Sequence, residues 1–226
     1  MVTDVVEQLK QSLSGRPGVL GWDRFIHSSV LAPVVMVGGE LHLLFQKRTE
    51  GIRQGGEISF PGGGFDPGKD KDLESTALRE CCEEMGITPE QVTVIGQMDT
   101  LITSVGVTVS CYVGLLDDGA LESMTINEDE VAAWFTMPLA HFTMTEPDVH
   151  HVRLMVEPHY DHPKKGRVTL LPARDLGLPE RYHKPWGGLT REVYFWETPH
   201  GTLWGITAEL VRELVLRSQK APDVTT

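Results

Sequence analysis

The run Arg79-Glu80-Cys81-Cys82-Glu83-Glu84-Met85-Gly86-Ile87 gathers three carboxylates and a guanidinium directly downstream of the glycine-dense Phe60-Pro61-Gly62-Gly63-Gly64. On a helix, residues three and four apart are neighbours. Glu80 then lies beside both Glu83 and Glu84, and each like-charge pair costs roughly 0.2–0.5 kcal/mol. Arg79 alone cannot neutralise three carboxylates. A hard divalent cation such as Mg²⁺ takes oxygen ligands and is typically held by one or two carboxylates together with substrate phosphates. The cluster therefore points to a metal centre acting on a phosphate compound; a solvated acidic helix face is the alternative.

The same string resembles the signature of the Nudix hydrolases, G-x5-E-x7-R-E-U-x-E-E-x-G-U with U aliphatic. Arg79, Glu80, Glu83, Glu84, Gly86 and Ile87 all fall in place, with Cys81 at an aliphatic position. The first half departs: the spacing from Gly63 to Arg79 is two residues longer than the pattern. The early glutamate is replaced by the acidic run Asp66, Asp70, Asp72, in which Asp70 or Asp72 stands as its substitute. Upstream, Leu43 to Gly63 is similar to the extended motif of coenzyme A pyrophosphatases within that family, L-L-T-x-R-[SA]-x3-R-x3-G-x3-F-P-G-G. Arg48, Arg53, Gly56 and Phe60 to Gly63 align, Thr49 occupies the Ser/Ala position, and one residue is missing between Arg53 and Gly56. Trp204-Gly205-Ile206-Thr207-Ala208 resembles the segment that opens the last helix of the same subfamily.

The resemblance implies chemistry that the charges make intelligible. Pyrophosphate oxygens repel a nucleophile, and a carboxylate-held Mg²⁺ or Mn²⁺ neutralises that charge and lowers the pKa of a bound water. Glu80 and Glu84, four apart on one face, are the expected main metal ligands. Glu83 is a further ligand or the base that takes the water's proton. Arg79 is expected to orient a neighbouring carboxylate. Arg48 and Arg53 are candidates to grip phosphate, since a guanidinium fits phosphate oxygens bidentately. Gly62 and Gly63 let the backbone pass close to metal and phosphate. Glu130-Val131 with Pro138-Leu139 is a further resemblance, implying that Glu128 or Glu130 approaches the site from a loop; a solvated loop is the other reading. The implied substrate is coenzyme A or a derivative, cleaved to adenosine 3′,5′-bisphosphate and 4′-phosphopantetheine. Alternatives are ADP-ribose, a dinucleotide or a nucleoside triphosphate, or a nucleotide-binding sensor without turnover.

The rest of the chain sets bounds. Its 226 residues allow one domain, expected over residues 1–226 with the signature at 62–87. A net charge of −12 argues against a nucleic-acid partner, which calls for clustered Lys and Arg. A small phosphorylated substrate stays compatible, because a bound cation inverts the local field. No apolar run is long enough to span a bilayer, and residues 1–10 lack the pattern of a secretory leader, so a cytoplasmic location is expected. Cys81, Cys82 and Cys111 fit neither a disulfide framework nor a zinc spacing and read as packing residues.

Periodicity supplies the elements that must position these groups. Val2, Val5, Val6, Leu9 and Leu13 predict an opening amphipathic helix, stopped by Gly15 to Gly18. Residues 30–37 and 41–48 around Gly38-Gly39 predict a hairpin. Ile58 to Phe60 reads as a short extended piece. The signature helix is predicted from Asp72 as N-cap to Met85, with Gly86 as its left-handed stop and Leu73, Ala77 and Leu78 on an apolar side away from Glu80 and Glu84. Strands follow at 92–96, 101–103, 107–116 and before Pro138. Residues 143–192, broken by six prolines and carrying His150, His151, His159, His162 and His183, read as an irregular insertion whose histidines match no metal-ligand spacing. A strand at 191–196, a last helix at 204–216 with Leu210, Val211, Leu214 and Val215 on one face, and a frayed tail at 221–226 close the chain. The order suits a layered α/β domain, and the resemblance implies the Nudix fold, a mixed sheet sandwiched between helices. The opening helix and the 143–192 stretch are the expected surfaces for a homodimer.

Overall fold

The computed structural model describes residues 2–13, 15 and 18–220, with only the backbone of Val2 and Thr3. The chain opens with α1 (Val2–Ser12). Its apolar stripe covers nothing among the described residues: Val5, Val6, Leu9 and Leu13 are exposed. The stop expected at residues 15–18 falls partly, and the tail at 221–226 wholly, outside the described residues.

Strands β1 (Ile26–Val37) and β2 (Glu40–Arg48) form the expected hairpin, turned by Gly38 and Gly39 with φ of 58° and 89°. Such positive values suit the turn that matches strand twist. The two stay paired only over residues 34–37 and 40–43, then part. The gap is filled by β3 (Ile58–Ser59), which pairs with the end of β2, and by β4 (Gly62–Gly64), which pairs antiparallel with residues 28–30 of β1. This parting places the glycines beside the centre of the sheet.

Helix α2 (Leu73–Met85) begins and ends where its chemistry dictates. Asp72 accepts from the Ser75 amide while the Ser75 hydroxyl accepts from the Asp72 amide, a reciprocal cap. Gly86 takes φ 65° at the other end, and a Cβ there would fall 1.9 Å from the Thr125 carbonyl oxygen. The buried side of α2 is Thr76, Ala77, Cys81, Glu84 and Met85, which corrects the expected apolar face. Seven residues on a helix return to within about 20° of the start, so Glu84 lies under Ala77 on the buried side.

The chain continues through β5 (Val92–Gln97), β6 (Leu101–Ile102), β7 (Val107–Leu116), α3 (Ala120–Ser123), β8 (Val131–Pro138) and α4 (Leu139–Met144). Residues 143–192 differ from expectation. They hold β9 (Asp148–Val156), the small hairpin β10 (His159–His162) and β11 (Gly166–Thr169), and the start of β12 (Trp186–Thr198), which pairs with β9 over its length. The prolines stand before and between these strands, where no ladder N–H is needed. Nearly every residue of β9 is exposed, so no alternation advertised it. The chain ends with β13 (Gly201–Trp204) and α5 (Gly205–Gln219).

The main sheet runs β3-β2-β1-β7-β5, with β4 on β1, β6 on β7 and β8 on β2; β1 and β7 are parallel and the other pairs antiparallel, so the sheet is mixed. Alternation along β1 sends Leu31 and Val35 to the α2 side with Ala77, Cys81 and Met85. Ala32 and Val34 go to the opposite side, with Phe45, Trp196, Leu203 and the α5 residues Val211 and Leu214. Helices thus cover both faces of one mixed sheet, the α/β/α arrangement expected.

Candidate active site

Two strand ends and one helix bring the polar groups together. Along β2 every second residue faces α2: Leu44 enters the core, Gln46 meets Glu84, and Arg48 reaches the same carboxylate. Glu84 Oε2 accepts from Gln46 Nε2 at 3.0 Å and from the Gly62 amide at 2.9 Å. Its Oε1 has Arg48 Nη1 at 3.5 Å. Glu84 is only 1% exposed, and this burial pushes its pKa up to about 7, against the pull of Gln46, Gly62 and Arg48.

Glu80, one turn earlier, lies against Gly63: a Cβ there would stand 2.4–2.7 Å from the glutamate's carboxyl atoms. Gly62 is closed on its other flank, since a Cβ would meet the Ser29 carbonyl oxygen at 2.4 Å and Val30 Cα at 2.6 Å. The two glycines therefore let β4 pass between β1 and the carboxylates. Burial raises the Glu80 pKa, Arg79 lowers it, and Glu83 and Glu130 raise it further. Glu83 points outward, its side chain 53% exposed and joined to Arg79 at 3.0 Å.

Arg79 is a hub. Its Nε and Nη2 hold Asp70 bidentately at 2.7 and 2.9 Å, while Nη1 reaches Glu80 at 2.9 Å and Glu83 at 3.0 Å. Asp70 also accepts from the Asp66 amide and the Thr76 hydroxyl. The Arg79 guanidinium foremost holds the Asp70 carboxyl well below the usual carboxylate range. Asp72 is engaged as the helix cap, so Asp70 is the acid of the loop that faces the signature arginine.

Arg48 and Arg53 both line a cavity of about 450 Å³, together with Gly62, Gly63 and Gly64. That volume lies within the range of small-molecule sites. Arg48 Nε donates to the Arg53 carbonyl at 3.3 Å, tying together the loop that carries both. In this loop Gln54 takes φ 60°, the one non-glycine with positive φ among the described residues. Much of the remaining lining is aliphatic, Ile26 and Val30 from β1, Val107 and Val109 from β7, Ile206 and Leu210 from α5, with Trp204 beside them and Ser28 and Thr207 interspersed. The loop at 127–130 docks on α2, where the Asn127 amide donates to the Glu84 carbonyl at 3.0 Å. Glu128 and Glu130 each offer a backbone carbonyl to Thr49, and of the two carboxylates Glu130 is the one felt by Glu80.

Among the described residues no three His, Cys, Asp or Glu side chains stand ready-arranged around a metal position. The donor set nonetheless fits a hard divalent cation. Glu80 and Glu84 are oxygen donors four apart whose pKa values are raised, so the protein's own donors do not fully offset the cost of their charge. Burial pushes the thiols of Cys82 and Cys111 up to about 11 and about 12, as suits packing residues. Among the described residues no helix is long and apolar enough to cross a membrane. Sequence reasoning missed Gln46 and the aliphatic wall. A polar residue at every second position from Leu44 was the available signal for Gln46.

Layers of helix, mixed sheet and helix, with acids and glycines crowded at one strand end, are an α/β/α scaffold carrying an acidic site. A model of the NUDIX domain matches residues 26–157, and the chain belongs to the Nudix family. A protein of Photorhabdus laumondii, described as the uncharacterised Nudix hydrolase NudL, is 29% identical over 96% of this chain and 98% of its own. The mouse peroxisomal coenzyme A diphosphatase NUDT7 is 35% identical over 70% of this chain and 64% of its own. Among solved structures, a C. elegans Ap4A hydrolase covers 51% of this chain and 82% of that one, at 20% identity and a TM-score of 0.43.

Proposed function

We propose that this Nudix hydrolase cleaves the pyrophosphate bond of coenzyme A or its derivatives, releasing adenosine 3′,5′-bisphosphate and 4′-phosphopantetheine, with Mg²⁺ or Mn²⁺ as cofactor. The observation that carries the reading is the shared cavity: Arg48, Arg53 and the glycine strand open into one space, with Glu80 and Glu84 directly behind the glycines. The similarity to a mouse coenzyme A diphosphatase supports the choice of substrate.

In this reading Glu80 and Glu84 hold the cation, with Glu83 as a further ligand or the base. Once bound, the cation supplies charge neutralisation and an acidified water. Arg48 and Arg53 grip phosphate oxygens, and their guanidinium groups need no titration to do so. Arg79, fixed by Asp70, orients Glu80 and Glu83. Gly63 keeps side-chain bulk away from Glu80, and Gly62 lets β4 lie close against β1. The aliphatic wall suits the uncharged part of a substrate whose charged part lies at the arginines.

The test is product release from coenzyme A, acetyl-coenzyme A, ADP-ribose, NADH and a nucleoside triphosphate, each with Mg²⁺, Mn²⁺ and chelator. Chelator-sensitive cleavage of the coenzyme A compounds above the others is expected. Preference for another compound overturns the substrate, and silence across the panel overturns cleavage of these compounds in favour of a nucleotide sensor or a substrate outside the panel.

A further inference from the structure

Gln46 stands at a position of β2 where alternation leads into the core, yet it is a polar residue with no exposed surface. Its amide nitrogen donates to Glu84 Oε2 at 3.0 Å and to the Ser59 hydroxyl at 3.4 Å; its Oε1 has no hydrogen-bond partner among the described residues. A buried unpaired oxygen is costly, and an apolar side chain of the same shape would avoid it. Packing alone therefore does not account for a glutamine here. The contact does: together with the Gly62 amide at 2.9 Å, it gives one oxygen of Glu84 two donors, while the other oxygen meets the Arg48 guanidinium at 3.5 Å.

Two donors converging on one oxygen settle what the glutamate's own torsions leave open. The terminal torsion of a glutamate is broad and roughly two-fold, so an unsupported carboxylate rotates. One donor comes from a backbone fixed in β4, the other from a side chain held within the sheet. Oε2 is thereby committed to Gln46 and Gly62, and Oε1 is left with the longer contact to Arg48. Partners of this kind around metal ligands typically change metal affinity by about 10–100-fold when removed.

We propose that Gln46 is a positioning residue for the metal centre: it fixes the Glu84 carboxylate so that Oε1 alone is presented to a divalent cation. This rests on the reading of Glu84 as a metal ligand. It touches neither substrate nor reacting atoms, and its effect runs through Glu84.

The test uses Gln46→Met, close in shape but without the donor. Mn²⁺ binding is measured by calorimetry and by electron paramagnetic resonance on the wild type and the variant, alongside thermal unfolding without metal and kcat and KM at saturating Mn²⁺. The expected result is Mn²⁺ affinity lower by about 10–100-fold, with KM for coenzyme A at saturating metal little changed and the variant still folding cooperatively. Wild-type Mn²⁺ affinity in a folded Gln46→Met overturns the inference. A wild-type protein that binds no Mn²⁺ overturns the underlying reading of Glu84, a separate and recognisable result. A measurement on the wild type guards against a variant that fails to fold. On Mg²⁺ saturation the Gln46 side-chain amide resonances should shift; if they stay fixed while the backbone amides of α2 move, Gln46 is not coupled to the metal.

Discussion

At the scale of single residues the site is an arrangement of unequal acids. Glu84 is buried and its pKa is pushed up to about 7, whereas Glu83 stands in solvent beside Arg79. Because the folded value of Glu84 lies above the ordinary one of 4.5, the native protein keeps a proton that the unfolded chain gives up between these values. That proton contributes stability which is full below about pH 4.5 and lost as pH rises through about 7, about 3 kcal/mol in the metal-free protein. Unfolding followed against pH should show this decline, and Glu84→Gln should flatten it. The same substitution should cut metal-dependent turnover by at least about a hundredfold while the protein stays folded. Near-wild-type rates would remove Glu84 from the metal centre. Arg53→Ala addresses a different group: if Arg53 grips phosphate, steady-state kinetics should show a raised KM with kcat less affected, and an unchanged KM returns it to the solvent-facing surface.

At the scale of elements, β4 is the piece on which the site turns, and two of its three glycines make opposite predictions. A methyl at Gly63 meets the far end of Glu80, which can swing aside. Gly63→Ala should therefore keep its unfolding temperature within a few degrees and lose turnover. A methyl at Gly62 meets backbone atoms of β1 that cannot yield, so Gly62→Ala should lower the unfolding temperature as well. Paired melting and activity measurements separate the two, and an equal drop in unfolding temperature for both would contradict the assignment. The sequence made these elements visible unevenly, for physical reasons. Helix α2 announced itself because its cap, its period and its stop are all local, from Asp72 to Gly86. Strand β9 stayed hidden because exposure on both faces erases alternation, and the prolines around it read as breaks. The partners of Glu84 were out of reach because Gln46 and Gly62 lie 38 and 22 residues away, joined only by the pairing of β1, β2 and β4. Asp70, nine residues from Arg79, was within view but shared its loop with other acids.

At the scale of the whole molecule, the site depends on the layered body, and α1 adds nothing to the buried core among the described residues. Deleting residues 1–18 should change stability by no more than about 0.5 kcal/mol and leave Mn²⁺ affinity unchanged, as unfolding and calorimetry would register. A large loss of either would mean that α1 does cover the body. The central parallel pair has a further consequence. Glu80, Glu83, Glu84, the glycines and the arginines come from residues 48–84, whereas the wall of the cavity comes largely from residues 105–109 and 204–210, in and beside β7 and α5. Replacing aliphatic residues in the later stretches reshapes the space offered to a substrate without displacing a carboxylate. On the proposed function, the groups that would break a bond and those that would select its owner lie in largely separate reaches of the gene, so mutation could revise the second while the first is inherited intact.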